Sequence, residues 1–195
     1  MRKKSHILLA GYLADQMWAN ESLQMHRKAF CLGNILPDIK PSFITKRHEF
    51  FGTFDEIQER MRELVNIRLN ETNQRVYWRR LGEVIHYMAD YFTFPHNRTY
   101  TGSLAAHNHY EKVLKDELKS CIRRGDAHRY LEPAIHFSTF NAMIQYIRSS
   151  HEKYLEKARC VAEDIGFILN TCFQVIQGLV QLCLGGVFER TVQAA

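Results

Sequence analysis

Apolar residues return at intervals of three and four along almost the whole of this 195-residue chain. No run of alternating apolar and polar residues bounded by turns makes a strand. That periodicity dictates an all-α fold, a compact multi-helix arrangement. Helices are expected at about 5–18, 21–31, 53–70, 73–94, 103–124, 138–157 and 158–184. Ser103 and Ser138 stand where N-caps are needed, Gly125 lies just past the fifth helix, and Gly185-Gly186 is expected to stop the last. Pro37, Pro41 and Pro95 punctuate loops. Without a repeat or a low-complexity linker, residues 1–195 are most simply one domain with a core of its own.

Composition narrows the class of function. Hydrophobic residues make up 46% and charged residues 24%, ordinary values for a soluble globular protein. The net charge of +5 comes from scattered groups, among them Arg2-Lys3-Lys4, Arg79-Arg80 and Arg123-Arg124. They form no continuous stripe, so nucleic acid is a poor partner, and a mild attraction for phosphate-bearing substrates or anionic surfaces is the better inference. Cys31, Cys121, Cys160, Cys172 and Cys183 are odd in number, widely spaced and without a Cys-x-x-Cys pair. They argue against a disulfide framework and against a thiolate zinc site, and read as buried thiols in a reducing compartment. Arg2-Lys3-Lys4 before ILLAGYLA imitates a signal peptide. However, the apolar run is short, His6 interrupts its approach, and no small-x-small cleavage site precedes Asp15. The expectation is a cytoplasmic protein. The apolar stretch 160–186 carries Glu163, Asp164, Asn170, Gln174, Gln177 and Gln181, which suits a packed helix better than a membrane span.

Chemistry is densest at residues 86–111, which hold His86, Asp90, His96, His107 and Glu111. The pairs His86/Asp90 and His107/Glu111 are spaced i,i+4, so each stacks on one helix face, one turn apart. Imidazole nitrogen and carboxylate oxygen suit zinc and similar divalent ions. His107 and Glu111 continue in line with Leu114, Leu118 and Cys121, so the core-facing row opens with a histidine and a glutamate. A metal ion would satisfy both; the alternative keeps them at the surface, with Glu111 paired to Lys115. His6 lines up with Ala10, Leu13 and Met17, where a lone histidine is ordinarily a hydrogen-bonded core residue.

His86 and Asp90 lie away from the main stripe of Tyr77, Leu81, Val84, Ile85, Met88 and Phe92, so an exposed polar face competes there with a site. Gly82, one turn before His86, permits close approach of another element. His96 follows Phe94-Pro95, where the helix should stop, and is free to turn toward either pair. Asp38 ends the loop Gly33-Asn34-Ile35-Leu36-Pro37-Asp38, a rigid turn that aims a carboxylate. His48 completes the set. His26, His109, His128, His136 and His151 have no partner at a suggestive spacing.

In order, SHILLAGYL around His6, GNILPD ending at Asp38, then His48, LGEVIHYMADYFTFPHN and HNHYE form a series. It resembles the zinc-dependent phospholipase C family, the bacterial phosphatidylcholine-hydrolysing enzymes, and more distantly the P1/S1-type nucleases. Motifs carry the resemblance over residues 5–111, and the rest follows as helical continuation. It implies two or three zinc ions in an all-α domain. Asp38, His48, His86 and Asp90 would hold one; His96, His107 and Glu111 a second; Asp90 would also reach a third shared with His6. Clustered zinc ions clamp phosphate oxygens, lower the pKa of a bound water toward about 7 and neutralise charge in an in-line displacement. The second ion, with three protein ligands, would keep an open position. Asp38 is the implied general base.

Two departures stand out. In secreted members the mature N-terminal tryptophan chelates the third zinc, whereas this chain has Met1 five residues before His6. It is also shorter than those enzymes and lacks the added membrane-binding domain of the toxin members. The expectation is a third site that is absent, completed by water or weak.

The leading expectation is therefore a metal-dependent phosphodiester hydrolase, phospholipase C-like, with a phosphoester substrate such as a phospholipid and transient contact with a membrane surface. Phe43, Phe50 and Phe51 offer an apolar wall for a lipid or nucleoside, or ordinary core. A nuclease or nucleotidase using the same ions is the runner-up. A non-catalytic helical protein with closed zinc sites is the alternative from another class. A di-iron bundle would need paired Glu-x-x-His motifs, which the chain does not supply.

Overall fold

In the computed structural model, which describes residues 1–39, 48–67, 72–157 and 160–193, with side chains as far as residue 185, the described segments are helical with no strand among them. The helices are Lys3–Gln16 (α1), Glu21–Met25 (α2), Arg27–Gly33 (α3), Phe50–Asn66 (α4), Gln74–Tyr91 (α5), Leu104–Arg124 (α6), Phe140–Glu156 (α7) and Val161–Gln193 (α8). Short 3-10 turns occupy Phe94–His96 and Asp126–Tyr130.

The all-α expectation holds, with local corrections. The segment expected as one helix at 21–31 breaks at His26 into α2 and α3, and α4 begins earlier than expected, at Phe50. Ser103 caps α6 by accepting from the Ala106 amide at 3.2 Å, and Gly125 ends that helix in the left-handed region at φ 78°. The cap of α7 is Thr139 rather than Ser138, its hydroxyl accepting from the Ala142 amide at 3.1 Å. Gly185 does not stop α8, which runs on to Gln193, since a helical glycine costs only about 1 kcal/mol relative to alanine. Cys121, Cys172 and Cys183 are buried and Cys31 is half-buried, but Cys160, just ahead of α8, is exposed. Phe50 belongs to the core, stacked on Phe54 and His151, while Phe51 is exposed. Phe43 and Pro41 lie outside the described residues.

The helix α5 runs through the middle of the protein, buried without interruption from Leu81 to Tyr91. Its apolar side meets α8 and α4, where Thr53 and the Tyr91 hydroxyl lie 2.8 Å apart. Its polar side, for which the sequence allowed either an exposed face or a site, is covered by α3. Two glycines allow this. A Cβ on Gly82 would stand 2.2 Å from the Phe30 carbonyl oxygen, and one on Gly33 would stand 2.0 Å from that of Arg79. The Cβ atoms are missing where the two backbones touch.

The helix α8 is long and apolar enough to cross a membrane by length and composition, and 61% of its most apolar window is buried inside the protein. Its Asp164 is fully buried and serves three neighbours. One oxygen accepts from the Phe94 amide at 2.8 Å and the Tyr110 hydroxyl at 2.9 Å; the other accepts from the Tyr154 hydroxyl at 2.8 Å. These bonds fasten the turn that carries His96 and the part of α6 that carries Glu111. On the opposite side of that turn, Asn97 donates to the carbonyls of Tyr91 and Thr93 and accepts from His151 at 3.0 Å. His151, without a partner by sequence spacing, thus has one in space.

Two predictions follow from these contacts. Gly82→Ala gains about 1 kcal/mol in helix propensity but drives a methyl into backbone, and overpacking of that kind costs about 1–3 kcal/mol or more. The variant should melt several degrees below the parent in calorimetry; an unchanged Tm would contradict the close-approach argument. The second concerns pH. Burial pushes the Asp164 carboxyl up to about 6, against an ordinary 3.8. The native state then keeps a proton that the unfolded chain has lost, so this group's contribution to stability declines as pH rises from about 4 to 6. Relative to the parent, Asp164→Asn should become more stable over that window by roughly 1–3 kcal/mol in urea titrations. Parallel profiles for the two proteins would refute it.

Candidate metal centre

The site is built from α5 outward. His86 and Asp90 are both fully buried, which settles the choice between an exposed polar face and an enclosed one. The Nδ1 of His86 lies 2.8 Å from the Asn34 carbonyl oxygen. A carbonyl can only accept, so Nδ1 carries the proton and Nε2 is the nitrogen turned toward the other ligand-type groups. Such an orienting bond is the usual support of a metal-ligating histidine. Around Nε2 stand His48 Nδ1 at 3.1 Å, Asp90 Oδ2 at 3.3 Å and Asp38 Oδ1 at 3.6 Å. His48 Nδ1 is itself 2.9 Å from Asp90 Oδ2. Donors at about 2.05 Å from a tetrahedral zinc are about 3.3 Å from one another, so these separations suit one ion.

His6 tests whether the cluster fits a metal. The residue is fully buried, and its ring stacks on that of His86 with centroids 3.9 Å apart. Its Nε2 lies 3.3 Å from Asp90 Oδ1, yet neither ring nitrogen makes a hydrogen bond. The hydrogen-bonded core histidine expected on an apolar face is therefore not what forms. Burial, then repulsion from His86, pulls the imidazole down to about 3, so it is uncharged with a lone pair to offer. An unsatisfied buried polar atom costs about 1–3 kcal/mol, and a divalent ion removes that penalty at a nitrogen donor. The donor set fits zinc.

Asp90 joins this cluster to the next. Burial alone would push its carboxyl up, but the Met1 amine and the rings of His96, His86 and His6 outweigh that effect and hold it well below the carboxylate range. The Met1 amine bonds to Asp90 Oδ1 and lies 3.1 Å from His96 Nε2 and 3.3 Å from Glu111 Oε1. His96 turns toward both sides, with Nε2 3.1 Å from Glu111 Oε1 and Nδ1 3.8 Å from Asp90 Oδ2. His107 Nε2 lies 3.2 Å from the same Glu111 oxygen. Glu111 is buried, and hydrogen bonds from His107 and His96 overcome its desolvation and hold it far below its ordinary value. Its alternative partner, Lys115, instead pairs with Asp116 at 2.8 Å.

Three groups result, each with ligand atoms within 4.8 Å of one another: His6, Asp38 and His86; His48, His86 and Asp90; His96, His107 and Glu111. All eight residues singled out by sequence thus come together. The last triad forms as anticipated, whereas His6 groups with Asp38 and His86 and is not confined to Asp90. Two contributors escaped the sequence reading. The Asn34 carbonyl is backbone and leaves no side-chain signal, although it lies inside the GNILPD motif. The Met1 amine stands where the resemblance has a chelating tryptophan, and its contact with Asp90 joins two residues that are remote in the chain. A cleft of about 1090 Å³ opens over the cluster, with Asp38, His48, His96, His107 and Glu111 on its walls.

Residues 5–161 match the family of zinc-dependent phospholipase C. Comparison with curated proteins and with solved structures gives no match. The matched region covers most of the chain and contains every side chain of the three groups, while the Met1 amine that joins them lies just outside it. The chain belongs to the zinc-dependent phospholipase C family.

Proposed function

We propose that this protein hydrolyses the bond between a glycerol-type alcohol and phosphate in a phospholipid, at the cluster of His6, Asp38, His48, His86, Asp90, His96, His107 and Glu111. The observation that carries this reading is the placement of two adjoining histidine–carboxylate sets beneath one open cleft. Asp38, His48, His86 and Asp90, with His6, would hold zinc on one side, and His96, His107 and Glu111 on the other. When bound, the ions would supply Lewis-acid polarisation of the phosphate and an acidified water.

The protein's own groups do the rest. The Asn34 carbonyl fixes the His86 tautomer, and the Met1 amine, bonded to Asp90 Oδ1, keeps that carboxyl well below its ordinary range. Asp38 is half-buried at the junction of cluster and cleft, and burial raises its carboxyl above the ordinary range. From that position the Asp38 carboxylate suits the general base, taking a proton from the attacking water and returning it to the departing alkoxide. Water then adds to phosphorus as the glycerol oxygen leaves, giving a diacylglycerol and a phosphomonoester.

Elemental analysis of the purified protein should find at least two zinc ions per chain, and chelation should abolish release of diacylglycerol from phospholipid. One ion or none, with no hydrolysis of phospholipid, phosphodiester or nucleic acid, would overturn the reading; cleavage of nucleic acid alone would favour a nuclease. Asp38→Asn should lower kcat by about 10²–10⁴-fold, the usual contribution of a general base. Full turnover in that variant would remove Asp38 from the role.

A further inference from the structure

The cations that look scattered in the sequence converge at the mouth of the cleft. Arg2, Lys3 and Lys4 at the start of α1, Arg98 just past the Phe94–His96 turn, and Lys115 on α6 all line it. Lys3, Lys4 and Arg98 are exposed and make no ion pair among the described residues. Positive charge at the start of a helix opposes its dipole, so Lys3 and Lys4 weaken α1 and do not support it. Three acids share this wall, Asp38, Glu49 and Glu111, and two of them belong to the metal cluster.

Large apolar side chains stand among these cations. Leu104, the first residue of α6, lies on the lip of the cleft and is 75% exposed. Phe51 is 60% exposed, with the Arg98 guanidinium 5.0 Å from its ring centroid. Exposed apolar side chains set among Lys and Arg match a bilayer interface, where the apolar groups enter the acyl boundary and the cations meet lipid phosphates.

Resting on the phospholipase reading, we propose that the mouth of the cleft docks on an anionic phospholipid bilayer, with Arg2, Lys3, Lys4 and Arg98 on lipid phosphates and Leu104 and Phe51 in the apolar boundary. The substrate is then drawn from negatively charged membranes in preference to zwitterionic ones. The attraction is electrostatic at its outer edge and falls away within a Debye length, so salt weakens it.

The test is flotation of the zinc-loaded protein with vesicles of non-hydrolysable phosphonate lipids, either choline-headed alone or with about 30 mol% of glycerol-headed anionic lipid. Partition onto the anionic vesicles should be at least about tenfold stronger, and should be lost near 0.5 M salt, where screening is roughly complete. The triple variant Lys3→Glu/Lys4→Glu/Arg98→Glu should lose this preference while keeping the parent's Tm and zinc content. Leu104→Ser should weaken binding without changing its salt dependence. Equal partition onto both vesicles, no partition onto either, a triple variant that still prefers anionic lipid, or tighter binding to duplex DNA than to vesicles would each overturn the proposal. Because the readout is binding to lipids that cannot be cleaved, failure here is distinct from failure of hydrolysis.

Discussion

Where α3 crosses α5, Gly33 and Gly82 bring two helix backbones into direct contact, and the chemistry of the site hangs on that contact. It sets the distance from α5 to the loop that follows α3. Through that distance it brings the Asn34 carbonyl to the Nδ1 of His86 and Asp38 to its Nε2. The polar side of α5 would otherwise be an ordinary wet helix face. Once α3 lies over it, His86 and Asp90 are sealed in, and their hydrogen-bonding and charge must be met by other protein groups or by ions.

Asp90 shows how that requirement is met. A lone buried carboxylate would take up a proton rather than stay charged. Here an amine and four imidazoles surround it, so the charge survives in an interior that would normally suppress it. The same crowd is over-supplied with lone pairs, and His6 has two ring nitrogens with no hydrogen bond at all. A cluster with surplus donors is tuned for cations more than for self-sufficiency. Fold stability and metal affinity are then coupled, since an ion bound by the folded chain would satisfy buried nitrogens that the helices leave unpaired.

Much of this was legible in the sequence. The i,i+4 pairs gave the two sides of the site, because helical spacing is a local property. The stripe through His107 and Glu111 correctly put the glutamate inward. What could not be read is the relation of one helix to another. The exposure of the His86 face depends on α3, and the only hint was Gly82. The partners of His151 and Asp164 are remote in the chain, and neither residue sits at a telling interval. The convergence of Arg98 with Arg2, Lys3 and Lys4 is likewise invisible in one dimension. The misplaced cap at Ser138 and the stop expected at Gly185 are smaller errors of the same origin, where a neighbouring residue or continued packing outweighed a local preference.

The three hydrogen bonds at Asp164 have a bearing on how far this protein extends as a working unit. The family similarity ends at residue 161, whereas the acceptor that fastens the His96 turn, α6 and α7 lies just beyond that boundary. The first turns of α8 therefore act as a keystone for a site to which they contribute no ligand. A fragment trimmed to the matched region would retain every proposed zinc-binding side chain but lose the brace that keeps two of them facing each other.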